Sequence, residues 1–249
     1  MPRLMLSDEH WFKLLASMKA VGVYSKSRLR RTVEGILYKL RVGCSWRDLP
    51  QYFGKWNSIF KRFNDWSRLG KLNDIFQKLA SEPDHEWHFV DGSIVKAHQH
   101  SSGAAFGEET AIGKSVAGNS TKIHLAVDAY GLPIAFTLTG GEVHDCKEAP
   151  KLVANLPSSD YVIADKGYDS DQLRIQITKR GATPVIPRKK NSKIGNDDID
   201  WCLYKYRHLV ENAFARLKHF RSIATRFEKL KRNYAGILAL ACAYIWLPL

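Results

Sequence analysis

Asp91 closes the run His-Phe-Val, Asp165 closes Val-Ile-Ala, and Glu211 lies inside a helical pattern with no turn to make. An acid at the end of a buried strand emerges at the carboxyl edge of a sheet, where α/β sites are built. A lone Asp in that place is more often a turn former or helix cap, which is the reading for Asp128 in VDAYG and Asp145 in EVHDC. Glu211 belongs to the stretch YKYRHLVENAFARLK, Tyr204 to Lys218. On an ideal helix Tyr204, Arg207, Glu211 and Lys218 fall within an arc of about 60°. Leu203, Val210, Ala213 and Leu217 form a separate apolar stripe that can face a core. Taken alone, the charged stripe is a solvated face with two ion pairs. If the three acids converge, they become oxygen ligands for Mg²⁺ or Mn²⁺. Two such ions about 4 Å apart can clamp an in-line displacement at phosphorus.

The charge distribution favours a polyanionic partner. Residues 1–80 carry 16 Lys/Arg against 6 Asp/Glu, residues 81–202 carry 13 against 17, and residues 203–249 carry 9 against 2. Basic ends of this kind point to nucleic acid. An acidic middle does not suit a protein that merely coats DNA, because carboxylates repel phosphates unless metal ions stand between them. The four cysteines are scattered without a C-x-x-C pair, so neither a disulfide framework nor a zinc ribbon is indicated. The opening MPRLMLSDEHWFKLL has acids before any apolar run and is not expected to act as a signal peptide. The closing AGILALACAYIWLPL is shorter than the ~20 residues that span a bilayer. A buried terminal helix, no membrane partner and a reduced, cytoplasmic protein are therefore expected.

The elements that must position these acids fall into two parts. Residues 1–80 read as helical throughout, with Ser7 capping a first helix and RLRRTVEGILYKLRVG ending at Gly43. SWRDLPQYFGKWNSIFKRFNDWSRLG reads as a short helix, a turn at Gly54 and a longer helix to about Gly70, compatible with a helix-turn-helix. Lys61, Arg62 and Arg68 would then touch phosphate or base, whereas Trp46, Trp56, Phe60, Phe63 and Trp66 read as core. After a polar link at 81–86 the pattern changes to strands. WHFVDGSIVKAH is a strand with a turn at Asp91-Gly92, and TKIHLAVDAYGLPIAFTLTGGEVHD is a hairpin. Then come a short helix at 146–156, the buried strand DYVIAD, the helix DQLRIQITKRG, the strand TPVIPRK and a helix over 203–219. The expected division is 1–80 and 81–249.

Tyr204-x2-Arg207-x3-Glu211-x6-Lys218 matches at every spacing the Tyr–Arg–Glu–Lys signature of DDE transposases from bacterial insertion sequences. VDGSIVKAH and IADKGYDSD resemble the segments that carry the first and second catalytic Asp of that group. The Gly43–Gly70 region is similar to the N-terminal region of its insertion-sequence-five family. The resemblance implies an α/β, ribonuclease-H-like catalytic domain, a mixed sheet flanked by helices, behind a small all-α, helix-turn-helix-like DNA-binding domain. It makes Asp91, Asp165 and Glu211 the triad that holds two Mg²⁺ (or Mn²⁺) ions. Arg207 and Lys218 would hold phosphates, Arg through its fork and Lys as a point charge, and Tyr204 would stack on or hydrogen-bond to the DNA end. It also implies double-stranded DNA as partner, both as element ends with terminal inverted repeats and as target, and a dimer in the synaptic complex. The chemistry would be hydrolysis at the element ends followed by joining of the 3′-hydroxyls to target DNA, at the bacterial nucleoid. The 46 residues from Asp165 to Glu211 leave room for one helix and one strand, not for the large β insertion of some relatives.

Other patterns carry less. His98, His100, His124, His144 and Cys146 match no zinc spacing. Residues 101–120 are Gly/Ser-rich but have Glu108 where a phosphate loop needs Gly, and read as a mobile loop near the first Asp. PRKKNSK, Pro187 to Lys193, reads as a DNA-facing loop with Arg188 and Lys189 as its contacts. Two rivals stand beside the transposase: an inactive relative that only binds DNA and regulates the element, and another metal-dependent nuclease or phosphatase on the same fold.

Overall fold

The computed structural model describes residues 2–101, 103, 109–116 and 118–248. The loop expected over 101–120 falls partly on residues 102, 104–108 and 117, outside the described residues. The helices in chain order are α1 (Asp8–Ala20), α2 (Leu29–Val42), α3 (Trp56–Arg68), α4 (Lys71–Leu79), α5 (Asp145–Ala154), α6 (Asp171–Lys179), α7 (Trp201–Tyr204), α8 (His208–Lys218), α9 (Arg221–Ala224) and α10 (Lys231–Trp246). The strands are β1 (Trp87–Ala97), β2 (Gly113–Ser115), β3 (Gly118–Val127), β4 (Pro133–Gly140), β5 (Tyr161–Ala164), β6 (Thr183–Val185) and β7 (Thr225–Arg226). The chain divides into two compact units.

The first unit joins Met1–Ser81 to Ala97–Thr110 and Leu217–Leu249. Ser7 Oγ accepts from His10 N at 3.1 Å and Asp8 and Glu9 fill the first turn of α1, so the cap is the expected one. Leu29, Val33, Ile36, Leu37 and Leu40 of α2 are all buried, and the helix stops at Gly43 with φ +74°. Phe63 and Trp66 are core as expected, while Trp46 and Phe60 are half-buried. The short helix expected before Gly54 is instead two 3-10 turns, Trp46–Asp48 and Gln51–Phe53. Pro50 separates them, since it has no N–H to give and biases Leu49 toward extended backbone. The apolar α10 packs on α4 and α3, as a buried terminal helix. Among the described residues no helix is long and apolar enough to cross a membrane. Arg226 is fully buried and donates to the carbonyls of Glu228 (2.9 Å), Lys229 (3.2 Å) and Thr110 (2.5 Å). Backbone carbonyls around a guanidinium offset the cost of burying it.

The second unit, Glu82–Lys96 with Ala111–Arg216, holds a mixed sheet flanked by helices. Within it β3 pairs antiparallel with β1, β2 and β4, while β5 lies parallel to β1 and β6 parallel to β5. The turn expected at Asp91-Gly92 does not form. β1 runs straight through it, because Asp91 to Lys96 stay paired with Leu125 to Ser120 of β3. Successive residues of a strand face opposite sides. Trp87 and Asp91 therefore share the face met by Tyr206 and Arg207, and Gly92 looks toward α5. Phe89, Val90, Ile123, Leu125, Ala126 and Ile163 are buried on the two faces, as the near-continuous apolar runs imply. The single helix expected over 203–219 is broken into α7, a 3-10 turn at Lys205–Arg207, and α8. Residues in a 3-10 turn advance about 120° rather than 100°, so the stripe from Tyr204 to Lys218 is bent at Arg207.

Candidate active site

The register of two parallel strands brings the first two acids together. Pairing of β1 with β5 runs from Trp87↔Tyr161 to Val90↔Ala164. The next residues are Asp91 on β1 and Asp165, the first residue past the end of β5, near enough for the Asp165 charge to act on Asp91. Asp165 leaves the sheet as the cap of a 3-10 turn, its Oδ1 accepting from Gly167 N at 2.8 Å. Asp91 Oδ1 accepts from Gly92 N at 2.7 Å. Its other oxygen takes Arg207 Nη1 at 3.1 Å, while Arg207 Nη2 pairs with Glu211. One guanidinium thus ties the strand acid to the helix acid, using the two prongs of its fork. Tyr204 lies 6.0 Å from the same guanidinium carbon, ring toward cation. Lys218 is the exposed last residue of α8.

Burial pushes the Asp91 carboxyl up to about 6, and the nearby charges of Asp165 and Asp145 push the same way, against Gly92 N–H and Arg207. Burial opposes the charge on Arg207, yet Asp91 and Glu211 outweigh it and hold its pKa above the ordinary value. The donor set suits a hard divalent cation. A metal ion would relieve the repulsion between adjacent carboxylates. Among the described residues, no three or more His, Cys, Asp or Glu side chains stand together as a ready metal-binding group. Asp91 and Glu211 are bridged by Arg207 instead.

Behind Asp91, on the Gly92 side of the sheet, is a polar cluster that the sequence did not announce. Asp145 reads as a cap, but His144 is the cap residue of α5. Asp145 turns back to the sheet, with Oδ2 3.2 Å from Lys122 Nζ and Oδ1 3.5 Å from His124 Nδ1. Lys122 Nζ also donates to Val143 O at 2.7 Å, and His124 Nε2 meets Thr139 Oγ1 at 2.9 Å. Burial and Lys122 push the His124 imidazole down to about 4 against the pull of Asp145. The Tyr168 hydroxyl is buried beside this cluster, its pKa raised well above the phenol range by burial and by Asp145, Asp91 and Asp165. The alternation of Lys122 and His124 on β3 was the available signal; nothing local tied it to Asp145. Asp128, by contrast, is the turn former expected, accepting from Tyr130 N at 3.0 Å and Leu132 N at 2.8 Å.

The remaining candidates lie elsewhere. Lys61 and Arg68 are exposed on α3 and Arg62 is half-buried. Arg188 gives its fork to Asp198 and Gly195 O of its own loop, and Lys189 Nζ reaches Asp169 O, in the turn before α6, at 3.2 Å. His98 stacks on Phe227 at 4.5 Å.

Comparison with known proteins gives the family. Residues 6–76 match the family described as "Putative transposase of IS4/5 family", and residues 83–200 and 162–248 each match a family described as "Transposase DDE domain". The putative transposase for insertion sequence element IS6501 of Brucella ovis is 41% identical over 128 residues, 51% of this chain and 98% of the relative. That for IS402 of Burkholderia cepacia is 35% identical over 136 residues, 50% of this chain and 62% of the relative. The IS1106 transposase of Neisseria meningitidis serogroup B is 29% identical over 124 residues, 48% of this chain and 41% of the relative. No solved structure matches. The chain belongs to the family of insertion sequence transposases that carry a DDE domain.

Proposed function

We propose that the protein binds the terminal inverted repeats of its element, hydrolyses phosphodiester bonds there and joins the freed 3′-hydroxyls to target DNA. The observation that carries this is the β1–β5 register, which sets Asp91 beside Asp165, together with the Arg207 bridge from Asp91 to Glu211. A ribonuclease-H-like fold is supported by the antiparallel order β4-β3-β1, with β3 in the middle, followed by β5 and β6 running parallel on the other side of β1. Asp91, Asp165 and Glu211 would hold Mg²⁺ or Mn²⁺. Two such ions when bound supply the positive charge that attacking and leaving oxygens need in an in-line displacement. Arg207 has a fork suited to a phosphate, and it passes from carboxylate to phosphate without losing an ionic partner. Tyr204 offers a ring for the DNA end, and Lys218 a point charge for the backbone. The basic helical unit, with Lys61, Arg62 and Arg68 on α3, is the proposed reader of duplex DNA, though the segment before Gly54 is not a regular first helix. Handling two ends together calls for a synaptic dimer.

The test is cleavage and strand transfer on labelled element-end DNA with Mg²⁺ or Mn²⁺, comparing wild type with Glu211→Gln. Gln keeps the shape and removes a ligand charge, so joined products are expected to vanish while DNA binding persists. Binding with no wild-type product would refute the enzyme and leave the regulatory relative. Cleavage without joining would leave a nuclease.

A further inference from the structure

Within the first unit, the segment after α2 and the segment leading into α10 line a cavity of about 560 Å³. That is the size of a small-ligand site. Trp46, Phe60 and Phe227 give it flat apolar walls. Its polar lining is unusual for a core void. Lys39 is buried and paired with Glu228 Oε1 at 2.6 Å, which leaves Glu228 Oε2 with no hydrogen-bond partner among the described residues. Asn233 Oδ1 is in the same condition, and the two residues are only 7% and 8% exposed. Buried acceptors without donors are costly, so a ligand that brings N–H groups would be favoured there. Exposed Lys229 adds a cation to the same lining.

Aromatic walls, orphaned acceptors and a cation together describe one class of ligand. We infer that this cavity binds a single unstacked nucleotide, its base against Trp46, Phe60 and Phe227, its amino edge toward Glu228 and Asn233, and its phosphate toward Lys229. Stacking on aromatic rings tolerates any base, while the acceptors favour a base rich in N–H donors, of which guanine has most on one edge. The nucleotide can come from a DNA strand or from free solution. The cavity uses none of the carboxylates of the candidate active site, so the inference stands whether or not the chain cleaves DNA.

The test is calorimetric titration of the full chain, without divalent metal, with deoxyguanosine monophosphate, thymidine monophosphate and a mixed-sequence single-stranded 12-mer. Saturable binding is expected, tighter for the guanine nucleotide than for the thymine one. Phe227→Ala, at a partly exposed position, is expected to weaken it about tenfold by removing one stacking wall, and Lys229→Ala by a few-fold, with unchanged thermal melts. Competition between the 12-mer and the mononucleotide assigns the site to a DNA strand, and mononucleotide binding that the 12-mer does not displace assigns it to a free nucleotide; both uphold the cavity. No saturable binding of either probe, or binding that neither substitution alters, overturns it.

Discussion

Gly92 offers the sharpest test of how the carboxylate site is built. Its backbone is ordinary strand, so alanine is tolerated by φ and ψ, but an added Cβ would overlap Asp145 Oδ1 and lie 3.2 Å from the Tyr168 hydroxyl. Asp145 would have to withdraw from Lys122 and His124, or β1 would have to move. Lys122 would keep Val143 O and lose its carboxylate. A hydrogen bond to a buried charge is worth about 1.5–3 kcal/mol and overpacking costs about 1–3 kcal/mol, so Gly92→Ala should destabilise by about 2–4 kcal/mol. If β1 yields, Asp91 moves with it, and a displacement near 1 Å can reduce cleavage by about a hundredfold. Urea unfolding and single-turnover cleavage of element-end DNA measure the two effects. Adding Asp145→Ala to Gly92→Ala removes the colliding group, so the pair should be less destabilised than the two single losses added together. A Gly92→Ala protein within about 0.5 kcal/mol of wild type, or a strictly additive double mutant, would refute the reasoning.

Three other outcomes are expected. Arg207→Lys keeps the charge and loses the fork that spans Asp91 and Glu211, so cleavage should fall by on the order of tenfold while thermal stability changes little; equal rates would show that only charge matters there. His88 and His124 are both fully buried with imidazoles pushed down to about 4, chiefly by burial. As pH falls from about 6.5 to 4 the unfolded chain takes up protons that the folded one refuses, so stability is lost across that window, by at most about 3 kcal/mol per histidine. Urea midpoints from pH 7 to 4.5 would show it, and His88→Gln should flatten the dependence. Lys39→Ala strands Glu228 in the interior and should cost about 3–5 kcal/mol, read by the same unfolding assay, whereas Lys39→Met with Glu228→Leu should recover most of the loss.

Much of the second unit was legible because its apolar runs are long and its acids sit at their ends. Asp165 follows Val-Ile-Ala and emerges from β5 as expected. The apolar stripe of Leu203, Val210, Ala213 and Leu217 is buried as its spacing implies. What the pattern could not reveal depends on partners distant in sequence. Asp-Gly is a turn signal, but eight consecutive residue pairs with β3 hold β1 extended through it. Asp145 has the look of a cap, and only the packing of α5 against β3 gives it Lys122 and His124. An apolar α10 announces that it is buried, not that it packs on α4. Asp198 can pair with Arg188 only because the loop folds back ten residues later.

The short parallel pairing of β1 with β5 also sets how copies of such an element decay. β5 is four residues long, and its register with β1 delivers Asp165, the next residue, toward Asp91. Loss or gain of one codon inside it preserves the reading frame and leaves most of the sheet able to form. It would nevertheless bring Ala164 or Lys166 to the place of Asp165 and turn alternate side chains to the wrong face. A folded protein would then have a methyl or an ammonium where the proposed chemistry needs a carboxylate. On the proposed function, single-codon slippage in this one strand is thus a direct route from a mobile element to a stationary one.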